Sequence, residues 1–238
     1  MKPVVLLTGG SSGIGLGIAK ALAKSYQIAF IVRNVGKMGA LLQTFPNPNE
    51  HKIFECDLSD IKNVENTMVT INNELKIFAF IHSAGINYVS YAKHFDYPSM
   101  LECANVNIYS AMSIVKFLLK KAQKPYLKNI IFISSISAIK GACGDGLYAC
   151  TKGGIDAYMK VLCKEVAPDI QVNSILPGTI FGTDTTTKIY TEEQKQDVLK
   201  KYPLGEGRPE DIASGVMFLL QNRWVTGQQL IIDGGFCA

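Results

Sequence analysis

Short apolar runs alternate along this chain with longer segments whose apolar residues recur every three to four positions. The short runs are rich in valine and isoleucine and nearly unbroken, which is typical of strands covered by helices on both faces. We predict strands at Val4–Leu7, Ile28–Val32, Lys52–Cys56, Phe78–Ile81, Ile130–Ile133, Gln171–Ile175 and Gln229–Ile232. We predict helices at Ile14–Lys24, Ile61–Leu75, Met100–Lys121, Tyr148–Val166 and Glu210–Gln221.

This alternation predicts repeated βα units, because parallel strands need a crossover connection and a helix usually provides it. The expected fold class is α/β, a Rossmann-like doubly wound parallel sheet of about seven strands with helices on both faces. No repeat, low-complexity tract or linker interrupts the chain, so we expect residues 1–238 to form a single domain. The threonine-rich segment Thr179–Thr191, which follows Pro177-Gly178, predicts a longer mobile loop.

Basic and acidic residues nearly balance, with 24 Lys and Arg against 20 Asp and Glu and a formal net charge of +4. Without a basic run, the chain is expected to have neither a nucleic-acid nor a membrane-surface partner. No stretch approaches the roughly 18 apolar residues of a membrane span, and Leu6–Ser25 is too polar for a secretory signal. We therefore expect a cytoplasmic protein.

The cysteines and histidines do not have the spacing of a metal site. No C-x-x-C pair occurs, and the three histidines are scattered. Reduced thiols that serve as small apolar side chains are the expected state, and no metal is predicted. The cysteines are Cys56, Cys103, Cys143, Cys150, Cys163 and Cys237.

The turn after the first predicted strand is rich in glycine. It reads Thr8-Gly9-Gly10-Ser11-Ser12-Gly13-Ile14-Gly15 and leads into the first predicted helix. The unpaired N–H groups and positive dipole end of a helix N-terminus attract pyrophosphate, and glycines let the backbone approach it closely. Glycines kept for packing alone are the alternative. A kinase-type P-loop is excluded because no Gly-Lys-Ser/Thr follows.

A second candidate constellation combines Tyr148 with Lys152 at the start of a predicted helix. Residues four apart share a helix face, so the ammonium can reach the phenol and favour its ionised form. A solvated helix face is the ordinary meaning of such a pair. Ser134 and Ser135 end the fifth predicted strand, where side chains project into the crevice at the carboxyl edge of the sheet.

The glycine pattern T-G-x-x-x-G-x-G and the Y-x-x-x-K pair resemble those of the short-chain dehydrogenase/reductase family. The family's serine-to-tyrosine spacing selects Ser135 over Ser134. The resemblance implies that Ser135 and Tyr148 hydrogen-bond a substrate carbonyl, that Tyr148 transfers the proton, and that Lys152 also bonds the nicotinamide ribose. It further implies that Asn107, with Asn105 as its neighbour and rival, organises a proton-relay water.

Other matches extend the resemblance over essentially the whole chain. Asp57-Leu58 stands where the family's aspartate holds the adenine, a cap on the helix near Ile61 being the alternative role, which Ser59 could also fill. His82-Ser83-Ala84-Gly85 replaces N-N-A-G, and we expect His82 to be a packed strand-end residue. The implied cofactor-binding residues are Gly9, Ser11, Ser12, Gly13, Ile14, Gly15, Arg33, Asn34, Asp57, Leu58, Ala84, Gly85, Tyr148, Lys152, Pro177, Gly178, Ile180 and Thr183.

The end of the second predicted strand bears on which nicotinamide cofactor is used. An NAD enzyme places an acidic residue there for the ribose 2′-hydroxyl, whereas this chain has Val32. Arg33 follows, whose guanidinium can hold a 2′-phosphate, with Asn34 as a further donor. Ser12 stands where many NADP enzymes of the family carry a basic residue. We expect a preference for NADPH, with NAD accepted less well.

The resemblance implies a carbonyl reductase or alcohol dehydrogenase that acts on a small ketone or secondary alcohol. The ending resembles 3-oxoacyl-thioester reductases, although Pro168-Asp169 replaces the basic docking residue of carrier-protein reductases. A sugar or polyol dehydrogenase and a non-catalytic dinucleotide-sensing protein are the alternatives. An epimerase or dehydratase is disfavoured because little chain remains after Gly178. Residues 179–201 are expected to form the substrate lid.

We also expect a symmetric oligomer, a tetramer as in family members. The third and fourth predicted helices carry apolar residues over more of their circumference than one sheet face can bury. These residues are Ile108, Met112, Val115, Leu119, Ala157, Val161 and Cys163.

Overall fold

In the computed structural model, which describes residues 2–183, 186–189 and 191–238, the chain forms a seven-stranded parallel sheet. All seven predicted strands are confirmed, with ends within two residues of those expected. The strands are β1 Val4–Thr8, β2 Gln27–Val32, β3 Lys52–Glu55, β4 Ile77–His82, β5 Asn129–Ile133, β6 Gln171–Pro177 and β7 Gln229–Ile232.

The strand order is β3-β2-β1-β4-β5-β6-β7, so the chain runs outward from β1 in one direction and then returns to continue in the other. The crevice between β1 and β4 lies where this direction reverses. Ligands of open α/β sheets bind at such a switch point, outside the carboxyl ends of the strands.

Four of the five predicted helices are present as single helices, together with helices that the sequence pattern did not predict. The helices are α1 Gly13–Leu22, α2 Val35–Leu42, α3 Ile61–Glu74, α4 Tyr97–Ala104, α5 Ser110–Leu118, α6 Gly146–Val166, α7 Thr186–Ile189, α8 Glu192–Leu199 and α9 Pro209–Gln221. Gly36 and Gly39 weaken the helical pattern of α2, which is why it was missed. Asn34 caps α2, because its side-chain oxygen accepts a hydrogen bond from the Lys37 amide at 2.8 Å.

Helices cover both faces of the sheet, and each face has its own apolar core. On one face α3, α5 and α6 pack on alternate strand residues such as Leu6 and Phe80. On the other face α1, α2 and α9 pack on the intervening residues such as Leu7 and Ile81. Because both faces are buried, the strands are continuously apolar, and the doubly wound fold class is confirmed.

The prediction of one helix over Met100–Lys121 was wrong. The structure has α4 and α5 joined by a widened π turn at Asn105–Tyr109. Side-chain hydrogen bonds from Asn107 to Ile86 and Thr151 hold this turn, so a tertiary contact interrupts the regular helix.

The alternative role considered for Asp57 and Ser59, capping of α3, belongs to Asp60, which accepts hydrogen bonds from the Lys62 and Asn63 amides at 2.9 and 3.1 Å. The loop prediction was wrong in part. The predicted loop Thr179–Thr191 contains α7, and the expected lid 179–201 continues into α8, which begins with a capping box at Thr191 and Gln194. Positions 184, 185 and 190 of that lid lie outside the described residues.

Candidate active site

A cavity of about 910 Å³ lies at the carboxyl ends of β1, β4, β5 and β6. The glycine-rich turn, the ends of β2 and β3, the first turn of α6 and the lid all contribute to its walls. Its volume lies at the upper end of the roughly 300–1,000 Å³ that is usual for ligand pockets.

The glycine-rich turn is built by close backbone approach. A Cβ on Gly9, whose φ is +72°, would lie 2.6 Å from the amide nitrogen of Ala84. A Cβ on Gly15 would lie only 2.0 Å from the Gly9 carbonyl oxygen. Larger residues therefore cannot occupy these positions in this turn, which keeps the α1 N-terminus open toward the cavity.

Thr8 joins β1 to the turn after β4. Its hydroxyl oxygen accepts hydrogen bonds from the amides of Ser83 and Ala84, each at 3.2 Å, and lies 3.0 Å from Nδ1 of His82. The Thr8 hydroxyl can therefore donate its proton to Nδ1 of His82. Burial lowers the pKa of His82 to about 3, so its ring is neutral and packed, as we expected for this residue.

The catalytic candidates Ser135, Tyr148 and Lys152 meet in this cavity. Ser135 follows β5, and its hydroxyl lies near enough to the Tyr148 phenol, in the first turn of α6, to lower the pKa of that phenol. The Lys152 ammonium lies 5.4 Å from the centre of the Tyr148 ring. The hydroxyl of Ser134 is instead occupied, since it donates to a carboxylate oxygen of buried Asp156 at 2.9 Å. Of the two serines, Ser134 is bonded to Asp156, and Ser135 remains the candidate beside the phenol.

The pKa of Tyr148 moves in the opposite direction to our expectation. Burial raises it, the negative charge of Asp145 raises it further, and only the hydrogen bond from Ser135 opposes this. The Lys152 ammonium donates to the Ile133 carbonyl oxygen at 2.7 Å, so it is not directed at the phenol alone. The prediction that Lys152 shifts the phenol toward its ionised form was wrong because desolvation dominates.

Lys152 is itself almost fully buried. Burial lowers the pKa of its ammonium to about 8, against the charge of Asp156, which raises it. A Cβ on Gly85 would approach the ammonium nitrogen to 3.3 Å and the Asn107 side-chain oxygen to 3.4 Å. The absence of a side chain at Gly85 thus leaves room for both of these groups beside its backbone.

Asn107 does not line the cavity, but its hydrogen bonds support the residues that do. Its side-chain oxygen accepts from the Ile86 amide at 2.9 Å, and its NH₂ group donates to the Ile86 carbonyl and the Thr151 hydroxyl, both at 2.9 Å. Asn105 is directed elsewhere, since its NH₂ donates to the Ser59 carbonyl. The side chain of Asn107 therefore fixes the segment after β4 against α6.

The far end of the cavity carries the residues expected around the adenosine. Arg33, Asn34, Asp57 and Leu58 all line it. The Asp57 carboxylate accepts hydrogen bonds from the amide and hydroxyl of Ser59, which lower its pKa, and the nearby charge of Arg33 lowers it further. Asp57 is therefore an ionised acceptor beside a cationic side chain.

Every expected cofactor-binding residue lines the cavity, Thr183 included. Sequence reasoning missed several other lining residues, because they lie in loops or in short helices that carry no motif. Those of chemical interest are Lys37, Asn87, Lys140, Cys143, Asp145, Gln194, Asp197, Lys201 and Phe236. One of these residues, Asp145, could have been found from the sequence, because it stands three positions before Tyr148 and residues at that spacing share a helix face.

Comparison with known proteins agrees with this geometry over nearly the full length. A family model described as enoyl-(acyl carrier protein) reductase matches residues 9–237. The chain belongs to the short-chain dehydrogenase/reductase family. It is 34% identical to carbonyl reductase family member 4 of Xenopus laevis over 99% of this chain and 98% of that protein. It is 32% identical to 3-oxoacyl-[acyl-carrier-protein] reductase of Bos taurus, with the same coverage.

Solved structures of the family share the fold. The structure of ElxO with NADP bound matches with a TM-score of 0.89 at 27% identity, over 100% of this chain and 99% of that one. As a member of this family, the protein is an oxidoreductase that acts between carbonyl and CH–OH groups.

Two further features concern the described residues alone. Within those ranges, no group of three or more His, Cys, Asp and Glu residues is placed to hold a metal ion. None of the helices found there combines the length and apolar character needed to cross a bilayer.

Proposed function

We propose that this protein reduces a ketone to a secondary alcohol with NADPH and catalyses the reverse reaction with NADP. The observation that carries the proposal is the meeting of Ser135, Tyr148 and Lys152 in one cavity with the glycine-rich turn. When bound, the nicotinamide supplies or accepts the hydride. The protein supplies orientation and the proton.

The cavity fits a dinucleotide. The α1 N-terminus faces a turn in which Gly9 and Gly15 leave no room for side chains, as a pyrophosphate seat requires. Thr183 packs against this turn, since a Cβ on Gly13 would lie 3.1 Å from the Thr183 side chain. The ElxO structures, one with NADP and one of a tyrosine-to-phenylalanine variant with NADPH, support the same class of cofactor here.

The preference for NADPH over NADH rests on the end of β2. Buried Val32 takes the place of a carboxylate that would repel a 2′-phosphate, and Arg33 beside it can bind that phosphate with two donors. Asn34 uses its side-chain oxygen to cap α2, so its NH₂ group is the donor it can offer. NADH is expected to bind less tightly, without being excluded.

In the reductive direction, Ser135 and Tyr148 donate hydrogen bonds to the substrate carbonyl oxygen, and Tyr148 transfers its proton as the alkoxide develops. The raised pKa of the phenol suits this role, because it keeps the proton in place until the substrate oxygen becomes basic. Lys152 contributes a positive charge beside the phenol and the ribose site. Asn107 positions the segment that carries Gly85 and Ile86.

The substrate is a small carbonyl compound or its alcohol. The names of the Xenopus laevis and Bos taurus relatives support carbonyl compounds and 3-oxoacyl thioesters, and sugars or polyols are the alternative class. We further propose that residues 1–238 act as one nucleotide-binding domain whose lid is segment 179–201, since Gln194, Val198 and Lys201 of that segment line the cavity.

A screen of ketones, 3-oxoacyl thioesters and sugar alcohols against NADPH and NADH tests the proposal. Oxidation of NADPH by at least one carbonyl compound, faster than that of NADH, is the expected result. Tight dinucleotide binding without turnover of any compound would instead identify a dinucleotide-sensing protein.

A further inference from the structure

Asp145 presents a carboxylate to the cavity at the catalytic tyrosine. It occupies the N-cap position of α6, three residues before Tyr148, yet its side chain makes no capping hydrogen bond. An aspartate at this position ordinarily satisfies the first amides of the helix. Here the carboxylate makes no such bond, so its placement has to be explained by something else.

Asn87, in the segment after β4, holds the carboxylate in place. Its NH₂ group donates to one Asp145 oxygen at 2.8 Å, and both side chains line the cavity. The amide oxygen of Asn87 is buried and has no hydrogen-bond partner among the described residues. An unpaired buried amide oxygen costs free energy, so the pair of Asn87 and Asp145 leaves an acceptor without a donor.

Within the part of the chain that the structure describes, no ion pair neutralises the charge of Asp145. Among the described residues, no lysine, arginine or histidine nitrogen lies within 4.0 Å of its carboxylate. Its charge acts on the reacting centre, since it is the second cause, after burial, of the raised pKa of Tyr148. A carboxylate in such surroundings gains most from a hydrogen-bond donor brought by a ligand.

We propose that Asp145, oriented by Asn87, recognises a hydroxyl group that the substrate carries next to its reacting carbonyl. The preferred substrate is then a hydroxyketone, and the product a vicinal diol. This inference rests on the proposed carbonyl reduction and narrows its substrate class.

Two other classes of substrate, amino ketones and 3-oxoacyl thioesters, fit the Asp145 carboxylate less well. An amino ketone would bring a further cation into a cavity already lined by Lys140, Lys152 and Lys201. A 3-oxoacyl thioester offers only carbonyl oxygens beside the reacting carbon. Because both a carboxylate and a carbonyl are acceptors, placing them face to face leaves the carboxylate without a donor.

The wild-type enzyme can be tested with matched ketones. Butanone and acetoin differ by one hydroxyl next to the carbonyl, as do cyclohexanone and hydroxycyclohexanone, and acetoacetyl-coenzyme A represents the thioesters. We expect kcat/KM with NADPH to be roughly 10- to 100-fold higher for each hydroxyketone, the range of a hydrogen bond to a charged group. Equal or higher values for the plain ketones or the thioester would overturn the inference while leaving carbonyl reduction intact. Turnover of no carbonyl compound would overturn both.

Substitution of Asp145 by alanine then identifies the residue responsible. We expect D145A to bring the hydroxyketone-to-ketone ratio of kcat/KM close to one, and D145N to give an intermediate ratio. Asp197→Ala is the matched control, because that carboxylate also lines the cavity but is paired with Lys200. NADPH affinity by fluorescence and circular dichroism verify that each variant is folded. A ratio unchanged in folded D145A, or lowered equally in D197A, would overturn the assignment.

Discussion

At the residue scale, burial and nearby charges set the pKa values of the Tyr148 phenol and the Lys152 ammonium, and these decide which of the two groups holds its proton at neutral pH. Burial raises the pKa of Tyr148 and lowers that of Lys152 to about 8. The phenol is therefore a proton donor at neutral pH, and the ammonium is the group nearer to titration. Reduction begins from a protonated phenol, so this division suits the reductive step.

Removing the Tyr148 hydroxyl should abolish most turnover and leave cofactor binding intact. Tyr148→Phe deletes only the group that donates the proton, and general acid-base assistance is worth about 10² to 10⁴ in rate. Steady-state kinetics together with NADPH titration measure the two effects. Tyr91→Phe, at a side chain that is 64% exposed, is the control. Normal turnover by Tyr148→Phe would place the acid elsewhere.

Removing the charge of Asp145 should shift the pH profile of alcohol oxidation. Oxidation requires the Tyr148 phenolate, so its rate rises with pH through the pKa of the phenol. The carboxylate disfavours the phenolate and thereby raises that pKa, so Asp145→Asn should move the rising limb to lower pH. The other groups that face the phenol, Ser135, Cys103 and Lys152, remain unchanged in this variant. A limb that stays in place or moves to higher pH contradicts this reading.

At the element scale, we propose that two strand-to-helix turns govern cofactor binding. The turn between β1 and α1 provides backbone space, and the turn between β2 and α2 provides charge. Each turn can be changed without touching the proton-transfer residues.

In the first turn, Gly15→Ala should destabilise the protein and weaken cofactor binding. The added Cβ would lie 2.0 Å from the Gly9 carbonyl oxygen, a backbone atom that cannot move independently. We expect the free energy of unfolding to fall by about 1–3 kcal/mol, the usual cost of overpacking. Gly39→Ala is the control: its Cβ meets no described atom within 4 Å, and alanine in a helix should raise stability by roughly 0.5–1 kcal/mol. Urea unfolding and NADPH titration provide the comparison, and equal behaviour of the two variants would contradict it.

In the second turn, Arg33→Ala should raise KM for NADPH by roughly 10-fold or more, the value of a charge-assisted hydrogen bond, and change KM for NADH little. Only NADPH carries the 2′-phosphate that the guanidinium can hold. Arg223→Ala, a surface arginine near the C-terminal end of α9, is the control. An unchanged ratio of the two KM values in Arg33→Ala would refute the assignment of this residue.

At the scale of the whole molecule, exposed apolar side chains support the proposal of an oligomer. Of the residues expected at an interface, Val115 and Cys163 instead belong to the core, because they face the sheet. Met112 and Val161 remain 38% and 55% exposed on α5 and α6. Phe218 and Ile231 are exposed on α9 and β7, which suggests a second face and hence a tetramer.

The double variant Met112→Glu with Val161→Glu should reduce the mass measured by light scattering to that of a smaller assembly. Two carboxylates in an apolar interface cost more free energy than the association can supply. Val69→Glu is the control, since Val69 is 49% exposed on α3. A wild-type protein that is monomeric at micromolar concentration would contradict the oligomer itself.

The sequence by itself determined the sheet, most of the helices and the cofactor turn. Each buried strand must be apolar on both faces, and the turn at Gly9–Gly15 needs bare backbone, so both leave local patterns in the sequence. The pair Tyr148 and Lys152 is also local, since four positions along a helix bring two side chains to one face.

Only the tertiary structure decided the direction of the Tyr148 pKa, the π turn at Asn107 and the approach of Asn87 to Asp145. Each depends on atoms that are distant along the chain, so no spacing or composition records it. The pKa of Tyr148 is the clearest case, because the sequence shows that an ammonium can reach the phenol but does not show how strongly the phenol is desolvated. Whether the surroundings are dry enough to outweigh that charge depends on how β5, α4 and α6 pack together.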